Sequence, residues 1–385
     1  MTPEQPEASS PAARRKAFAA RARSGRIVVK IGSGVITDDK GRLDLRVVRR
    51  LADDIAPLAG VRRWPFVVSS GAIAVGTSIL GLASRPKTMP GLQAAAAVGQ
   101  SKLVEAWSAA FRKYEIPVAQ ILLTHADVAD RGRFLNARRT LGELVDRKAI
   151  AVINENDTVS TEEIAFGDND QLAAEVANMV DAEILVLMSV APGLLDAHGQ
   201  RVPVVEAADP ALDALIQPTK SKNGTGGMTT KLKSARAAAE RGAMVAIIEG
   251  KRPGALAAVL AGEDIGTLLV PGEAKPKLKS RAAWIGYSLR ARGTLVVDAG
   301  AKVALCERNK SLLPSGVVDA LGAFEAGDPV EIRADGEDAP FARGLSRYGA
   351  EPLRQIRGLP SSAIREKLGF TTGDAVVHKD DLVVL

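Results

Sequence analysis

Short apolar runs alternate with longer amphipathic stretches along most of the chain. The apolar runs cover residues 27–30, 66–69, 118–123, 150–153, 184–188 and 244–248 and contain few polar breaks, as strands buried on both faces do. Apolar residues at helical spacing occupy residues 45–58, 92–114, 133–146, 170–179 and 231–241. Repeated strand–helix units predict an α/β fold, with a mostly parallel open sheet and helices on both faces.

The pattern changes at both ends of the chain. Beyond residue 293, short alternating runs are separated by Gly turns at 294–297, 329–332, 341–345, 375–377 and 382–385, which predicts a small β-rich module. Residues 1–24 are rich in Pro, Ala, Ser and Arg and lack an apolar core, which is typical of a disordered basic extension. We therefore expect an extension at 1–24, an α/β domain at 25–275, a linker at 276–292 and a β-rich module at 293–385.

Composition narrows the class of protein only slightly. The 385 residues carry a net charge of +6, which suits an anionic substrate such as a nucleotide and suits nucleic acid equally well. The single cysteine, Cys306, excludes a disulfide framework and a Cys-based zinc site, and it points to a reducing compartment such as the cytoplasm. No apolar run approaches the roughly 18 residues of a membrane span, and the scattered histidines give no metal-ligand spacing.

Polar residues follow several of the predicted strands. Lys30 ends the first strand, Ser70 follows the second, Asp157 comes after the fourth and Ser189 follows the fifth. In parallel sheets, ligands bind outside the carboxyl ends of the strands. We expect these side chains to meet at one edge of the sheet.

Two glycine loops that are far apart in sequence each carry a lysine. Gly32–Gly34 follows Lys30, and Thr225–Lys231 opens a predicted helix. Glycine exposes backbone N–H groups to phosphate oxygens, and ammonium groups neutralise charge on a transferring phosphoryl group. The first loop is neither a dinucleotide fingerprint nor a P-loop, and Gly226-Gly227 also fits a plain turn. A small-molecule kinase is nevertheless the leading interpretation.

The segment Gly167-Asp168-Asn169-Asp170 has two compatible interpretations. Asp170 can cap the helix that follows. The same polar side chains can also hold an amino-acid head group and Mg²⁺, because oxygen ligands suit both.

Seven motifs together resemble the amino acid kinase family, in its glutamate 5-kinase branch. They occur in that branch's order and spacing, and they are Lys30–Ser33, Ser69–Ile73, Ala97–Gln100, Phe134–Arg138, Ile153–Asp157, Gly167–Asp170 and Gly226–Lys231. Three later motifs, Ser311–Pro314, Gly327-Asp328 and Arg343–Tyr348, resemble the PUA domain appended to that branch.

The resemblance implies ATP-dependent phosphorylation of the γ-carboxylate of L-glutamate, with Mg²⁺, as the first step of proline biosynthesis. It also implies inhibition by proline, and we expect a homo-oligomer. Lys30 and Lys231 would be the catalytic cations, held by Asp170. The substrate-binding set would be Ser70, Asp157, Asn169 and Asp168. The nucleotide-binding set would be Lys30, Gly32, Gly34, Ser189, Val190, Thr225, Gly226, Gly227, Met228, Thr229, Thr230 and Lys231. No residue is assigned to a metal.

One departure and two alternatives remain. Val190 stands where the family usually has an aspartate near the nucleotide. An acetylglutamate or carbamate kinase is the alternative enzyme, although neither usually carries a PUA domain. The alternative from another class is an RNA-binding protein that acts through the PUA-like module, which is disfavoured because its aromatic residues are isolated.

Overall fold

The chain divides into two units, residues 1–277 and 278–385. The computed structural model describes residues 10–60, 64–160, 169–209, 212, 227–272, 291–308 and 310–385. Three of the predicted site residues, Asp168, Thr225 and Gly226, lie outside these ranges, as does most of the predicted linker. No helix within the ranges is long and apolar enough to cross a membrane.

An eight-stranded sheet forms the centre of the first unit. Its strands are β1 Ile27–Ile31, β2 Pro65–Ser69, β3 Val118–Leu123, β4 Ile150–Glu155, β5 Ile184–Ser189, β6 Val204–Glu206, β7 Met244–Glu249 and β8 Thr267–Val270. The spatial order is β3-β4-β2-β1-β5-β7-β8-β6, and all pairs are parallel except β7 with β8. The predicted parallel α/β sheet is confirmed, and the short strands β6 and β8 are additions.

The first helix of this unit precedes the strands, and the others connect them. They are α1 Pro11–Ala22, α2 Ser33–Ile36, α3 Leu45–Ile55, α4 Ala72–Ile79, α5 Met89–Phe111, α6 His125–Ala129, α7 Arg131–Asp146, α8 Asn169–Met179, α9 Met228–Glu240 and α10 Ala255–Leu260. Single 3₁₀ turns extend α3 over Ala56–Leu58 and α5 over Arg112–Tyr114. The predicted helices correspond to α3, α5, α7, α8 and α9.

Strand β1 shows why the sheet has buried apolar runs. It lies between β2 and β5, and all five of its residues are buried. Ile27, Val29 and Ile31 belong to one core with residues of α1, α3, α5 and α10. Since successive side chains of a strand point to opposite faces, Lys30 faces the side on which α8 lies. A buried ammonium group there needs an anionic partner.

The predicted disorder of residues 1–24 is wrong for residues 11–22, which form α1. Ser10 caps the helix by accepting a hydrogen bond from the backbone N–H of Ala13. Phe18 is fully buried, and Arg15, only 4% exposed, donates to backbone carbonyls of four residues, Pro203, Glu263, Ile265 and Gly266. Its partners are distant in sequence, so local composition could not reveal them.

The second unit contains a five-stranded sheet and short helices. Its strands are β9 Gly293–Val297, β10 Val317–Gly322, β11 Pro329–Ala334, β12 Ala342–Leu345 and β13 Leu382–Val384, in the order β10-β9-β11-β12-β13. The helices are α11 Ala299–Cys306, α12 Ala350–Ile356 and α13 Ile364–Leu368. The β-rich prediction is confirmed, but the predicted strand 375–377 is wrong, because it forms one isolated bridge, from Val377 to Leu312.

Candidate active site

A cavity of about 290 Å³ opens where β1, β2, β4 and β5 end. The chain leaves β1 towards one edge of the sheet and leaves β5 towards the other. Such a change of direction creates the crevice where α/β sheets bind ligands. The predicted site residues that line the cavity are Lys30, Gly32, Gly34, Ser70, Asp157, Asn169, Asp170, Ser189, Val190 and Lys231.

Two lysines share one buried carboxylate at the centre of the cavity. Lys30 Nζ lies 2.6 Å from Asp170 Oδ1, and Lys231 Nζ lies 2.9 Å from Asp170 Oδ2. Asp170 is 1% exposed. Three elements, β1, α8 and α9, therefore bring two positive charges against one negative charge.

The ionisation of Asp170 follows from these neighbours. Burial alone would raise the pKa of its carboxyl group. The positive charges of Lys30 and Lys231 act in the opposite direction and prevail, so that the pKa lies below its usual value. Asp170 is therefore a carboxylate at neutral pH, and the group of three carries a net positive charge that suits phosphate.

Asp157 lies in a different electrostatic setting. It follows β4 and is 6% exposed. Burial, reinforced by the negative charge of Glu155, raises the pKa of Asp157 to about 7, and the positive charge of Arg85 opposes that rise. This carboxyl group is thus poised to gain or lose a proton near neutral pH.

Ser70 and Asn169 meet beside the lysine pair. The backbone N–H of Ser70 donates to Ile31, so the end of β2 is joined to the end of β1. Gly71 then turns the chain into α4 with a φ of 111°, a conformation that favours glycine. Asn169 Nδ2 donates to Ser70 Oγ over 2.9 Å.

Val190 lies on the opposite side of the cavity, where β5 ends. Its side chain is 55% exposed. A Cβ added to Gly34 would lie 3.1 Å from Val190 Cγ1, so the glycine loop and the end of β5 are in close contact. Lys251, just beyond β7, also lines the cavity.

The second glycine loop is only partly described. Gly227 is the N-cap of α9, and it has no side chain with which to cap the first turn. Met228, Thr229 and Thr230 form the first turn of the helix but do not line the cavity, whereas Lys231 does. The first N–H groups of an α-helix have no acceptor within the helix itself, so they suit an anion.

Sequence reasoning did not assign roles to several residues of the cavity wall. Asn154 and Glu155 end β4, and their polar character within an apolar strand was the available signal. Arg85 and Lys251 come from loops whose composition is ordinary, so that no local signal marked them.

Comparison with known proteins gives matches over nearly the whole chain. The model of the amino acid kinase family matches residues 25–249, and that of the PUA domain matches residues 293–368. A glutamate 5-kinase of Myxococcus xanthus is 48% identical, over 94% of this chain and 96% of its own. Those of Pseudomonas entomophila and Pelobacter propionicus are 47% and 44% identical, again over 94% of this chain and over 98% and 97% of their own.

One solved structure shows the same fold at low sequence identity. It is an N-acetylglutamate synthase from Neisseria gonorrhoeae, complexed with coenzyme A and L-arginine, with a TM-score of 0.50 and 17% identity. The match covers 67% of this chain and 64% of that chain, which is slightly under two thirds of it. The likeness extends to the fold alone.

Proposed function

The chain belongs to the amino acid kinase family, and we propose that it transfers the γ-phosphoryl group of ATP to the side-chain carboxylate of L-glutamate. The product is L-glutamyl 5-phosphate, and the reaction is the first step of proline biosynthesis. The observation that carries this proposal is the pair of lysines that contacts one buried carboxylate in the cavity. The chain that contains this cavity is 44–48% identical to three glutamate 5-kinases.

The reaction requires charge neutralisation and positioning. A carboxylate oxygen of glutamate attacks the γ-phosphorus, the bond from that phosphorus to the β,γ-bridging oxygen breaks, and ADP leaves with the electron pair. A carboxylate nucleophile has no proton to lose, so the step needs no general base. It needs positive charge around the transferring group and its leaving oxygen.

Lys30 and Lys231 supply that charge in our proposal. Asp170 forms ion pairs with both ammonium groups and so fixes their positions before ATP binds. Fixed charges stabilise the transition state without reorganisation during the reaction. Asp170 itself acts as a positioning residue, because both of its oxygens already face the lysines.

The nucleotide is proposed to lie between the ends of β1 and β5 and the start of α9. Gly32 and Gly34 would approach its phosphates closely, and the first turn of α9 would direct N–H groups towards them. Ser189 and Val190 would border the nucleotide on the side of β5. The described part of the loop supports this proposal only from Gly227 onwards.

Glutamate is proposed to bind beside Ser70, Asp157 and Asn169. Asp157, when ionised, attracts the α-ammonium group of the substrate, and the amide oxygen of Asn169 accepts a hydrogen bond from it. The γ-carboxylate would then point towards the lysine pair. A role for Asp168 follows from the family resemblance alone.

Mg²⁺ is proposed to enter with ATP. Among the described residues, no group of three or more His, Cys, Asp or Glu side chains is placed to hold a metal ion. Mg²⁺ commonly keeps several waters and binds through substrate phosphates with few protein ligands. The residues present fit that arrangement, in which the ion offsets phosphate charge alongside Lys30 and Lys231.

A coupled assay of ADP release tests the proposal directly. The purified protein is given ATP and Mg²⁺ with glutamate, N-acetylglutamate, aspartate or carbamate in turn. We expect turnover with glutamate and little with the other acceptors. A preference for N-acetylglutamate or carbamate would instead identify the alternative enzymes, and no turnover with any acceptor would overturn the proposal.

Proline inhibition, oligomer formation and a cytoplasmic location are further proposals that rest on the family resemblance. Proline, a smaller analogue with a charged amino group, would compete for the site that contains Asp157 and Asn169. Millimolar proline should raise the glutamate concentration needed for half-saturation, and unchanged saturation curves would reject the idea. Light scattering after gel filtration would measure the oligomeric state.

RNA binding through the second unit receives less support. Among its described aromatic residues, Phe324 and Tyr348 are buried and Phe341 is partly buried, whereas Phe370 is 47% exposed. Single-stranded RNA binders usually stack several bases on exposed aromatic rings. A gel shift with bulk RNA that weakens steeply with salt would support RNA binding nonetheless.

A further inference from the structure

A chain of three side-chain amides leads from α5 to the wall of the cavity. Asn154 Nδ2 donates to Gln100 Oε1 over 2.6 Å, and Asn169 Nδ2 donates to Asn154 Oδ1 over 2.8 Å. Gln100, Asn154 and Asn169 are 8%, 2% and 4% exposed. Asn154 and Asn169 line the cavity, and Gln100 lies behind them.

A backbone group determines which end of each of the three side-chain amides is the oxygen. The N–H of Glu155 donates to the side chain of Asn154 over 2.9 Å. A backbone N–H can only donate, so the atom that it meets must be the amide oxygen of Asn154. The nitrogen of Asn154 therefore faces Gln100, and Gln100 must present its oxygen in return.

The same reasoning fixes Asn169. Because the oxygen of Asn154 faces Asn169, the atom of Asn169 that faces it must be nitrogen. That nitrogen has two hydrogens, and both are used, one towards Asn154 and one towards Ser70. The oxygen of Asn169 is left as a buried acceptor with no hydrogen-bond partner among the described residues.

A buried acceptor without a partner is costly unless a ligand completes it. Asn169 lines the same cavity as Asp157, which is also an acceptor when ionised. The two groups together suit a ligand with a positively charged amino group, whose several N–H bonds can reach both. An acylated nitrogen offers one N–H and no charge, so it satisfies this pair less well.

The close crossing of α4 and α5 brings Gln100 into reach. A Cβ added to Gly99 would lie 1.9 Å from the carbonyl oxygen of Ala72, and one added to Gly76 would lie 1.7 Å from that of Ala95. Only glycine permits helices to approach so closely. Gln100 directly follows Gly99, so the close packing of the two helices determines how near its side-chain amide comes to Asn154.

We propose that Gln100 is a positioning residue for substrate recognition: together with the backbone N–H of Glu155 it holds the side chain of Asn154 in place, which keeps the amide oxygen of Asn169 turned towards the amino group of the substrate. The inference rests on the proposed function, because glutamate is the ligand that the site would hold. It assigns a role to a residue that does not line the cavity.

Steady-state kinetics of three variants test this role. Gln100→Met keeps the length of the side chain but removes the acceptor, and we expect it to raise the KM for glutamate about three- to tenfold, the range of one neutral hydrogen bond. The KM for ATP and kcat should stay within about twofold. Gln100→Glu keeps an acceptor towards Asn154 and should restore a near-wild-type KM for glutamate. Ser101→Ala, which removes an exposed hydrogen bond from the same helix, is the control and should change nothing.

The outcomes separate this inference from the proposed function. No glutamate-dependent turnover by the wild-type protein refutes the proposed function. Wild-type turnover with an unchanged glutamate KM in Gln100→Met refutes only the positioning role, and so does an equal rise in the KM for ATP.

If Gln100→Met fails to fold, Asn154→Asp provides a second test. It keeps the oxygen that faces Asn169, and Gln100 can turn its nitrogen to donate. Glutamate affinity by calorimetry within about threefold of wild type supports the inference, and a loss of more than about tenfold overturns it.

Discussion

Lowering the pH from 8 to 6 should weaken glutamate binding, because in the proposed site Asp157 attracts the substrate ammonium group only when it is ionised. Its carboxyl group is 6% exposed, and burial and the charge of Glu155 raise its pKa to about 7 against the opposing charge of Arg85. The ammonium group of a free amino acid keeps its proton throughout this range. The carboxyl group of Asp157 is then the partner whose charge changes.

The expected magnitude follows from that pKa. With a midpoint near pH 7, the ionised fraction falls from about nine tenths at pH 8 to about one tenth at pH 6, so the KM for glutamate should rise about tenfold.

The stability of the unliganded protein should change in the opposite direction. The pKa of this carboxyl group is higher in the folded protein than in the unfolded chain, so the protonated group favours folding. This contribution is complete below the pKa of the unfolded chain and is lost as the pH rises through 7. The unliganded protein should therefore gain about 1.4 kcal/mol between pH 8 and pH 6 from this group.

Saturation curves for glutamate at saturating ATP and Mg²⁺, between pH 6 and pH 8, measure the effect. Asp157→Asn should bind glutamate weakly at every pH and abolish the slope. Glu155→Gln removes a neighbouring negative charge and should move the midpoint to lower pH. A KM that stays constant within about twofold across this range, or a slope that persists in Asp157→Asn, would refute the reasoning.

Three further changes test other parts of the first unit. Lys231→Ala should lower kcat by about 100-fold or more, as loss of a transition-state charge does, with little change in melting temperature because Lys30 still neutralises Asp170; a wild-type kcat would contradict the role of Lys231. Val190→Asp should strengthen ATP binding about tenfold or more if one charged hydrogen bond is recovered, and an unchanged or weaker affinity by calorimetry would show that backbone groups bind the nucleotide without it. Arg15→Ala removes hydrogen bonds to four backbone carbonyls and an ion pair with Asp264, and it should lower the free energy of unfolding by about 3 kcal/mol; an unchanged urea midpoint would exclude a stabilising role for Arg15.

Local sequence was sufficient to predict the sheet and the edge at which the site forms. An apolar run such as Ile184–Met188 is explained by burial on both faces, and the polar residue after it marks the strand end. Short strands such as β6 and β8 were missed because three or four residues hardly establish a period. In the second unit, the helix Ala350–Ile356 was not predicted, because the glycine residues of that region were interpreted as turns between strands.

Two features of the site depend on contacts that no local pattern contains. The sequence predicted that Lys30 and Lys231 belong to phosphate-binding loops, but Asp170 lies between them only because α8 packs beside β1. The orientation of the Asn169 amide follows from its hydrogen bond with Asn154, which in turn donates to Gln100 on another helix.

The sequence by itself determined the fold class, the strand ends and the kinds of side chain available there. These follow from the periodicity of burial and from backbone chemistry, which act over a few residues. The tertiary structure alone decided which charges share a partner, which carboxyl group keeps its proton near pH 7 and which way a buried amide points. Each of these depends on the solvation and the neighbours of a group, and in a folded protein the neighbours come from distant parts of the chain.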